Sequence, residues 1–457
     1  MVLILGAGLA GLSAAWHLRG RDVLVLEREA EVGGLCRSLR EQGFTFDLTG
    51  HLLHLRDPSI RGWVTGLLPG GWELLQRSAW IRSHGVLTPY PYQVNTAALP
   101  LPVRLECLLG FIETLRHAER RGVPVPPAAP VAPGLPFLAV APEAAPDEPS
   151  FLDWVLDNFG AGFAKHFFLP YNTKLWRREL SEITGDWVSW SIPRPELADV
   201  LRGALAGNER RFGYNPEFLY PRAGGIDALP RAIAAGLAPG VVRTGCAIAA
   251  LDAGRRTVTL EGGERLDAEA VLTSLPLPAL ARLTSDLPAA LRASAAGLRH
   301  VSVRVVNLGV RGAPAHPGAQ WIYFPEPDAP FHRIGLPAAL TPAMAPAGHH
   351  SLVAEISYRP ESPPGREESV EQTVAALLRC GLLASRADVV LTRVVEIPEA
   401  YVVFDRERRA VLPRLLRWFV ERRVVPMGRY GAWDYLAMED SLRHGRDAAA
   451  WLAGAPT

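Results

Sequence analysis

The residues best suited to chemistry begin at the N-terminus, where Gly6, Gly8 and Gly11 follow the apolar run Val2-Leu3-Ile4-Leu5 in a G-x-G-x-x-G spacing. At that spacing the first glycine permits a tight turn and the second lets the backbone reach a pyrophosphate, while the third allows close helix packing on the strand. Leu9 and Ala10 open the helix, and its first amides and positive dipole end stabilise phosphate charge. Glu27 ends the next strand, where a carboxylate can accept both hydroxyls of a ribose. Arg28 follows it, and then Gly33-Gly34-Leu35-Cys36-Arg37-Ser38. The glycine pair lets the chain pass close to a bound group, and the Arg37 guanidinium can complement two phosphates. Together these residues predict a bound dinucleotide.

A second set lies further along. Gly50-His51 offers a titratable imidazole on a glycine loop. Tyr90-Pro91-Tyr92-Gln93 and Tyr171-Asn172-Thr173-Lys174-Leu175-Trp176 combine flat surfaces (Tyr90, Tyr92, Trp176) with paired donor and acceptor groups (Gln93, Asn172) that match a pyrimidine edge. Each of these aromatics taken singly is equally at home in a core. Met438-Glu439-Asp440-Ser441 opens a terminal helix, for which Asp440 or Ser441 is the expected N-cap.

The elements that must position these groups follow from periodicity. A strand, a glycine turn, a helix over Leu9 to Leu18 and a second strand over Asp22 to Leu26 make a βαβ opening, hence a doubly wound parallel sheet. Val241-Val242, Val258 to Leu260, Ala270 to Ser274 and Val424 to Met427 also read as strands, and residues 151–206 read mostly as helix. His300 to Val310, Ser351 to Tyr358 and Val389 to Val395 alternate as strands, with a helix over Val370 to Leu383. Residues 122–150 carry nine prolines and read as a loop or linker insertion.

Composition limits the function. The chain has 457 residues, 48% of them hydrophobic, and a net charge of +1, so it is globular and has no global field to attract nucleic acid. Any anionic ligand must be held locally. The four cysteines show no metal-ligand spacing and suit a reduced, cytoplasmic protein. No apolar run reaches the ~18 residues of a membrane span, and the immediate N-terminal strand leaves no room for a leader. Of 48 basic residues only Lys165 and Lys174 are lysines.

The stretch from Gly33 to Ser38 after Glu27 resembles the FAD-dependent group of amine oxidases, protoporphyrinogen oxidases and UDP-galactopyranose mutases. The Y-P-x-Q and Y-N-x-K-x-W stretches are similar to those of eukaryotic-type UDP-galactopyranose mutase and its bacterial relatives. The resemblance implies a glutathione-reductase-like α/β fold, with an FAD domain assembled from 1–60, 215–285 and 400–457. A mostly helical substrate domain would span 61–214, and an antiparallel sheet with a helix would span 286–399. It implies FAD contacts from Gly6, Gly8, Leu9, Ala10, Gly11, Glu27, Arg28, Gly33, Gly34, Leu35, Arg37, Gly50, His51, Val242, Gly428, Arg429, Met438, Glu439 and Ser441. Tyr90, Tyr92, Gln93, Asn172, Trp176, Tyr401 and Tyr435 would hold a nucleotide sugar. The reaction it implies is pyranose-to-furanose isomerisation, in which reduced flavin displaces the nucleoside diphosphate, so an external electron donor would be needed.

His51, Tyr401, Tyr435 and Arg429 are the catalytic candidates under this resemblance. Arg194 and Arg222 stand nearest the family's two clamp arginines, Arg222 one residue out of register, and such a shift in a strand reverses side-chain direction. Flavin amine oxidases carry a lysine in a central strand, whereas Arg304 occupies a comparable strand here and no lysine follows Lys174. That weighs against a typical amine oxidase. A protoporphyrinogen oxidase or desaturase type of oxidoreductase, or a flavin-binding accessory protein without turnover, stays open as an alternative.

Overall fold

The computed structural model describes residues 1–116, 128–142, 148–185, 187–188, 192–207 and 216–454. Its first layer is a five-stranded, wholly parallel sheet in the order Val242–Arg243, Val23–Leu26, Val2–Leu5, Ala270–Thr273, Val424–Pro426. These short strands are rich in Val, Leu and Ile, and Val2–Leu5 and Ala270–Thr273 are buried throughout, as a sheet covered on both faces requires. The helix Leu9–His17 packs against the terminal helix Met438–Ala453 on this sheet. Gly11 permits the close approach of helix to turn, since a Cβ there would stand 1.9 Å from the Gly6 carbonyl oxygen. A three-stranded antiparallel meander, Ile248–Asp252, Thr257–Leu260 and Arg265–Asp267, lies between the edge strand and Ala270–Thr273 in the chain.

The second layer is a seven-stranded sheet in the order Val389–Val402, His300–Arg311, His349–Tyr358, Arg333–Gly335, Trp321–Tyr323, Ala79–Ser83, Val86–Pro89. All neighbours are antiparallel except Trp321–Tyr323 with Ala79–Ser83. The register sets Tyr323 opposite Arg333 and Arg333 opposite Glu355, so the three side chains form one cross-strand row.

Helices Leu101–Arg116, Phe151–Phe163, Leu169–Trp176 and Leu197–Leu205 make the third part, around an aromatic core that includes Phe151, Phe159, Phe163 and Trp176. The first two cross closely at glycine: a Cβ on Gly162 would lie 2.1 Å from the Glu106 carbonyl oxygen.

Three expectations change. Residues 61–214 are not mainly helical near their start, because Trp72–Gln76, Ala79–Ser83 and Val86–Pro89 are strands, and the last two complete the seven-stranded sheet. A boundary at 400 also cuts the single strand Val389–Val402. The described part of the proline-rich stretch is no free linker. Ala129–Pro130 pairs with Ala139–Val140, and Val131, Leu135, Leu138 and Val140 enter the core of the parallel-sheet layer. Its apolar residues between the prolines supply the burial that holds it down. Residues 122–127 and 143–147 lie outside the described residues.

Candidate active site

At the glycine turn, Glu27 is buried and its Oε2 accepts the Ala7 amide at 2.8 Å, while Oε1 accepts the Glu29 amide at 3.0 Å. The carboxylate thus braces the turn from the end of the neighbouring strand. Gly33 donates its amide to the Ala7 carbonyl, which brings Gly34 against Gly8. A Cβ at Gly8 would meet nothing within 4 Å, so the space beside this turn is open next to the amides of the helix N-terminus. Arg37 borders it, donating Nε to the Gly34 carbonyl at 2.9 Å and pairing with Glu29 at 3.2 Å. Arg28 is exposed and pairs with Glu29. Leu35 packs toward Phe44 and Phe46, and Val242 lies in the edge strand beside Val25. An open cradle at Gly8, a buried carboxylate at the strand end and the N-terminus of the helix Leu9–His17 fit an adenine dinucleotide.

The terminal helix begins at Met438, earlier than an Asp440 or Ser441 cap requires. Ala437 is the N-cap; Asp440 sits in the first turn and accepts the Ala437 amide at 3.0 Å, while Ser441 donates to the Ala437 carbonyl. Glu439 accepts the Asp57 amide at 2.8 Å, which commits its side chain to that loop.

The second half of the site gathers where the sheet row meets the cofactor layer. Arg333 Nη2 lies 2.6 and 2.7 Å from the two oxygens of Glu355. Burial opposes the Glu355 charge, but the adjacent guanidinium outweighs it and holds the carboxyl down at about 2. A Cβ on Gly50 would lie 3.5 Å from Arg333, so the Gly50-His51 loop runs directly past this pair. His51 Nδ1 donates to the Thr49 carbonyl at 3.0 Å. Burial, with the charges of Arg429 and Arg333, lowers its pKa to about 4. The imidazole is therefore neutral near pH 7, with Nε2 as an acceptor.

Arg429 is held by the Leu436 and Ala400 carbonyls at 3.0 and 3.2 Å, and its guanidinium lies 4.4 Å from the centre of the Tyr435 ring. Its Nε is buried without a partner, and no carboxylate among the described residues pairs with it. Tyr401 stacks on Tyr435 at 6.2 Å and meets Trp176 and His332 edge-on. Burial raises the Tyr401 pKa, so its hydroxyl stays protonated. One guanidinium with no carboxylate partner among the described residues, a second shared with a carboxylate, and several tyrosines make a candidate anion site.

The other predicted residues divide. Tyr90 is half-buried, with Arg77 4.7 Å above its ring and Tyr323 at 5.6 Å. Tyr92 turns into the helical core, stacked 4.8 Å from Phe167. Trp176 is buried beside Trp187 with an unpartnered indole N–H. Asn172 donates to the Phe168 carbonyl at 2.8 Å. Gln93 donates to the Pro193 carbonyl at 2.8 Å and, with Arg194, lines a small recess of about 100 Å³.

Arg222 does not join the site: it is largely exposed, pairs with Glu73 and donates to the Trp72 carbonyl. Arg304 is tied to Glu396, the Pro364 carbonyl and Ser369. The arginine in the cluster is Arg333, which sequence reasoning missed along with Tyr323, His332 and Glu355. Arg333 occupies a three-residue strand after a proline-rich loop, too short for alternation to register. The signal was the polar pair His332-Arg333 set between Phe331 and Ile334.

These features define a dinucleotide-binding enzyme of the flavoprotein type. The chain belongs to the flavin containing amine oxidoreductase family, whose model matches residues 9–452, and it is an FAD-dependent enzyme. Its structure is similar to that of reduced UDP-galactopyranose mutase, with a TM-score of 0.88 and 27% identity over 99% of this chain and 93% of that one. It also shares its fold with cyclohexylamine oxidase from Brevibacterium oxydans IH-35A, with a TM-score of 0.67 and 16% identity over 99% and 98% of the two chains. Among curated proteins, the inactive all-trans-retinol 13,14-reductase of Danio rerio is 48% identical over 48 residues, 10% of this chain and 8% of that protein. No helix among the described residues is long and apolar enough to cross a membrane.

Proposed function

We propose that the protein is a mutase-like isomerase of a nucleotide-linked sugar, converting pyranose to furanose. The observation that carries this reading is the likeness to reduced UDP-galactopyranose mutase across nearly the whole of both chains. The wider arrangement is then glutathione-reductase-like, with the FAD domain drawn from residues 1–60, 215–285 and the segment that follows the strand Val389–Val402, and the setting cytoplasmic with an external electron donor.

FAD, held at the glycine turn beside Glu27 and Arg37, would when reduced supply the electron pair for exchange at the anomeric carbon. The chain's own groups act around that exchange. Arg429 and Arg333 hold the diphosphate and stabilise the charge it gains on leaving. The hydroxyls of Tyr401 and Tyr435 donate to its oxygens. Tyr90, Gln93, Asn172 and Trp176 face the uridine end, and the surrounding aromatic rings keep water from the anomeric carbon. His51 accepts a hydrogen bond at Nε2 beside the cofactor.

Incubation of the reduced holoenzyme with UDP-galactopyranose and cyanoborohydride tests the reading. A trapped flavin-sugar product and a UDP-induced change in the flavin spectrum are expected, and the absence of both sinks it. The second reading is an oxidoreductase of the amine oxidase or protoporphyrinogen oxidase type, which the family model favours. Peroxide release on an amine or hydrophobic substrate would replace the first reading with this one.

A further inference from the structure

Lys174 is one of two lysines in the chain, and it is buried. It sits on the helix Leu169–Trp176, which also carries Tyr171, Asn172 and Trp176. Its Nζ donates to the Phe324 carbonyl at 2.9 Å, to the Phe331 carbonyl at 3.3 Å and to the Glu326 carbonyl. All three ammonium protons are thereby used. No carboxylate among the described residues stands at ion-pair distance from it.

Those acceptors mark both ends of one loop. Residues 324–331 connect Trp321–Tyr323 to Arg333–Gly335, the two strands that set Tyr323 opposite Arg333. Tyr171, from the lysine's own helix, meets Tyr323 at 5.5 Å and His332 at 6.3 Å. The ammonium therefore ties the helix to the hairpin that presents Arg333 to the site.

We propose that Lys174 is a positioning residue: by closing the 324–331 loop on three carbonyls it fixes Tyr323 and Arg333, and so sets affinity for the anionic ligand. The proposal rests on the reading of Arg333 as a ligand-holding arginine. Titration supports it. Burial lowers the Lys174 pKa to about 8, against the Asp328 and Glu326 carboxylates and with Arg177. His332 faces the same space from the hairpin, and Arg82 pairs with Asp328 at 3.7 Å. Loss of one proton removes one of the three donors, so the tie weakens in a mildly alkaline range where carboxylates and arginines keep their charge.

The test compares the wild-type holoenzyme with Lys174→Met. Hydrogen exchange of residues 324–331, corrected for the intrinsic rate, is expected to quicken in the wild type as pH passes about 8 and to be fast at every pH in the variant. The wild type should lose about tenfold in UDP affinity across that range, and the variant should show the weaker affinity throughout with FAD content unchanged. If the variant does not fold, the wild-type pH profiles decide, and flat profiles overturn the proposal. Equal loop exchange and UDP affinity in the two proteins also overturn it. A wild type that binds no UDP defeats the nucleotide-sugar reading, and loop exchange then still decides whether Lys174 positions the hairpin.

Discussion

Arg333 and Glu355 face each other on neighbouring antiparallel strands, and a single guanidinium nitrogen reaches both carboxylate oxygens. The grip leaves the rest of the guanidinium for a ligand while fixing its position. Glu355→Ala should cost about 3–5 kcal/mol, because it leaves a buried charge without its partner. The pH dependence has a definite sign. Since the folded-state pKa lies at about 2, below the 4.5 of a free glutamate, the pair's stabilisation is present above 4.5 and lost as pH falls through 2. Thermal midpoints of the holoenzyme between pH 5 and 2 should fall more steeply for the wild type than for Glu355→Gln, and parallel curves would count against the pair.

The two glycines of the turn should respond in opposite ways. A side chain at Gly8 meets no protein atom within 4 Å and the backbone there is extended at φ −73°, so Gly8→Val should keep the fold and lose FAD. Gly11→Val should damage the fold itself, since its Cβ would overlap the Gly6 carbonyl oxygen. Flavin absorbance per protein, set beside circular dichroism, separates the two. Full FAD in Gly8→Val would mean that the open space is not the cofactor's.

This contrast also shows what the sequence made legible. The glycine spacing, Glu27 and the βαβ opening are local signals, and each strand of the parallel sheet is a short apolar run that can be read without its neighbours. The anion site is not local. Arg333 comes to Glu355 through strand pairing, to Gly50 through packing of two layers, and to Tyr401 through a third segment. Arg222 looked better placed because it adjoins a glycine pair, yet the chain turns it toward Glu73 at the surface. The strand at Trp72–Gln76 escaped for a similar reason, since its partner lies far along the chain at Glu217–Pro221, whereas Ala79–Ser83 also pairs locally with Val86–Pro89, a hairpin that sequence reasoning missed.

His51 presents Nε2 as an acceptor because Nδ1 is engaged by Thr49 and the ring is neutral down to about pH 4. With His51 beside the flavin, as proposed, an acceptor there favours the reduced form, which carries an N–H, over the oxidised form, which does not. His51→Ala should therefore lower the flavin midpoint potential by roughly 30 mV, about 1.4 kcal/mol for two electrons. Potentials measured against reference dyes between pH 6 and 8 check this. An unchanged or raised potential would place His51 away from the redox-active atoms.

Asp47 gives the last prediction. Its Oδ1 accepts from Ser38 Oγ at 2.6 Å and from the Ile226 amide at 3.0 Å, and its Oδ2 accepts from Tyr220 at 2.6 Å. Burial nevertheless raises its pKa to about 6, past the opposing effect of those hydrogen bonds. With the folded value above the unfolded 3.8, the stabilisation is full below 3.8 and is lost as pH rises through 6. The difference of about 2 pKa units corresponds to about 3 kcal/mol. Asp47→Asn keeps the Oδ1 acceptor, and Tyr220 can turn to accept from the new amide, so it mimics the protonated acid at every pH. Its thermal midpoint should match the wild type at pH 4 and exceed it at pH 7.5, whereas Asp47→Ala should fall below both at either pH because Ser38, Tyr220 and the Ile226 amide lose their acceptor. A wild type that gains stability relative to Asp47→Asn between pH 4 and 7.5 would reverse the sign and refute the assignment.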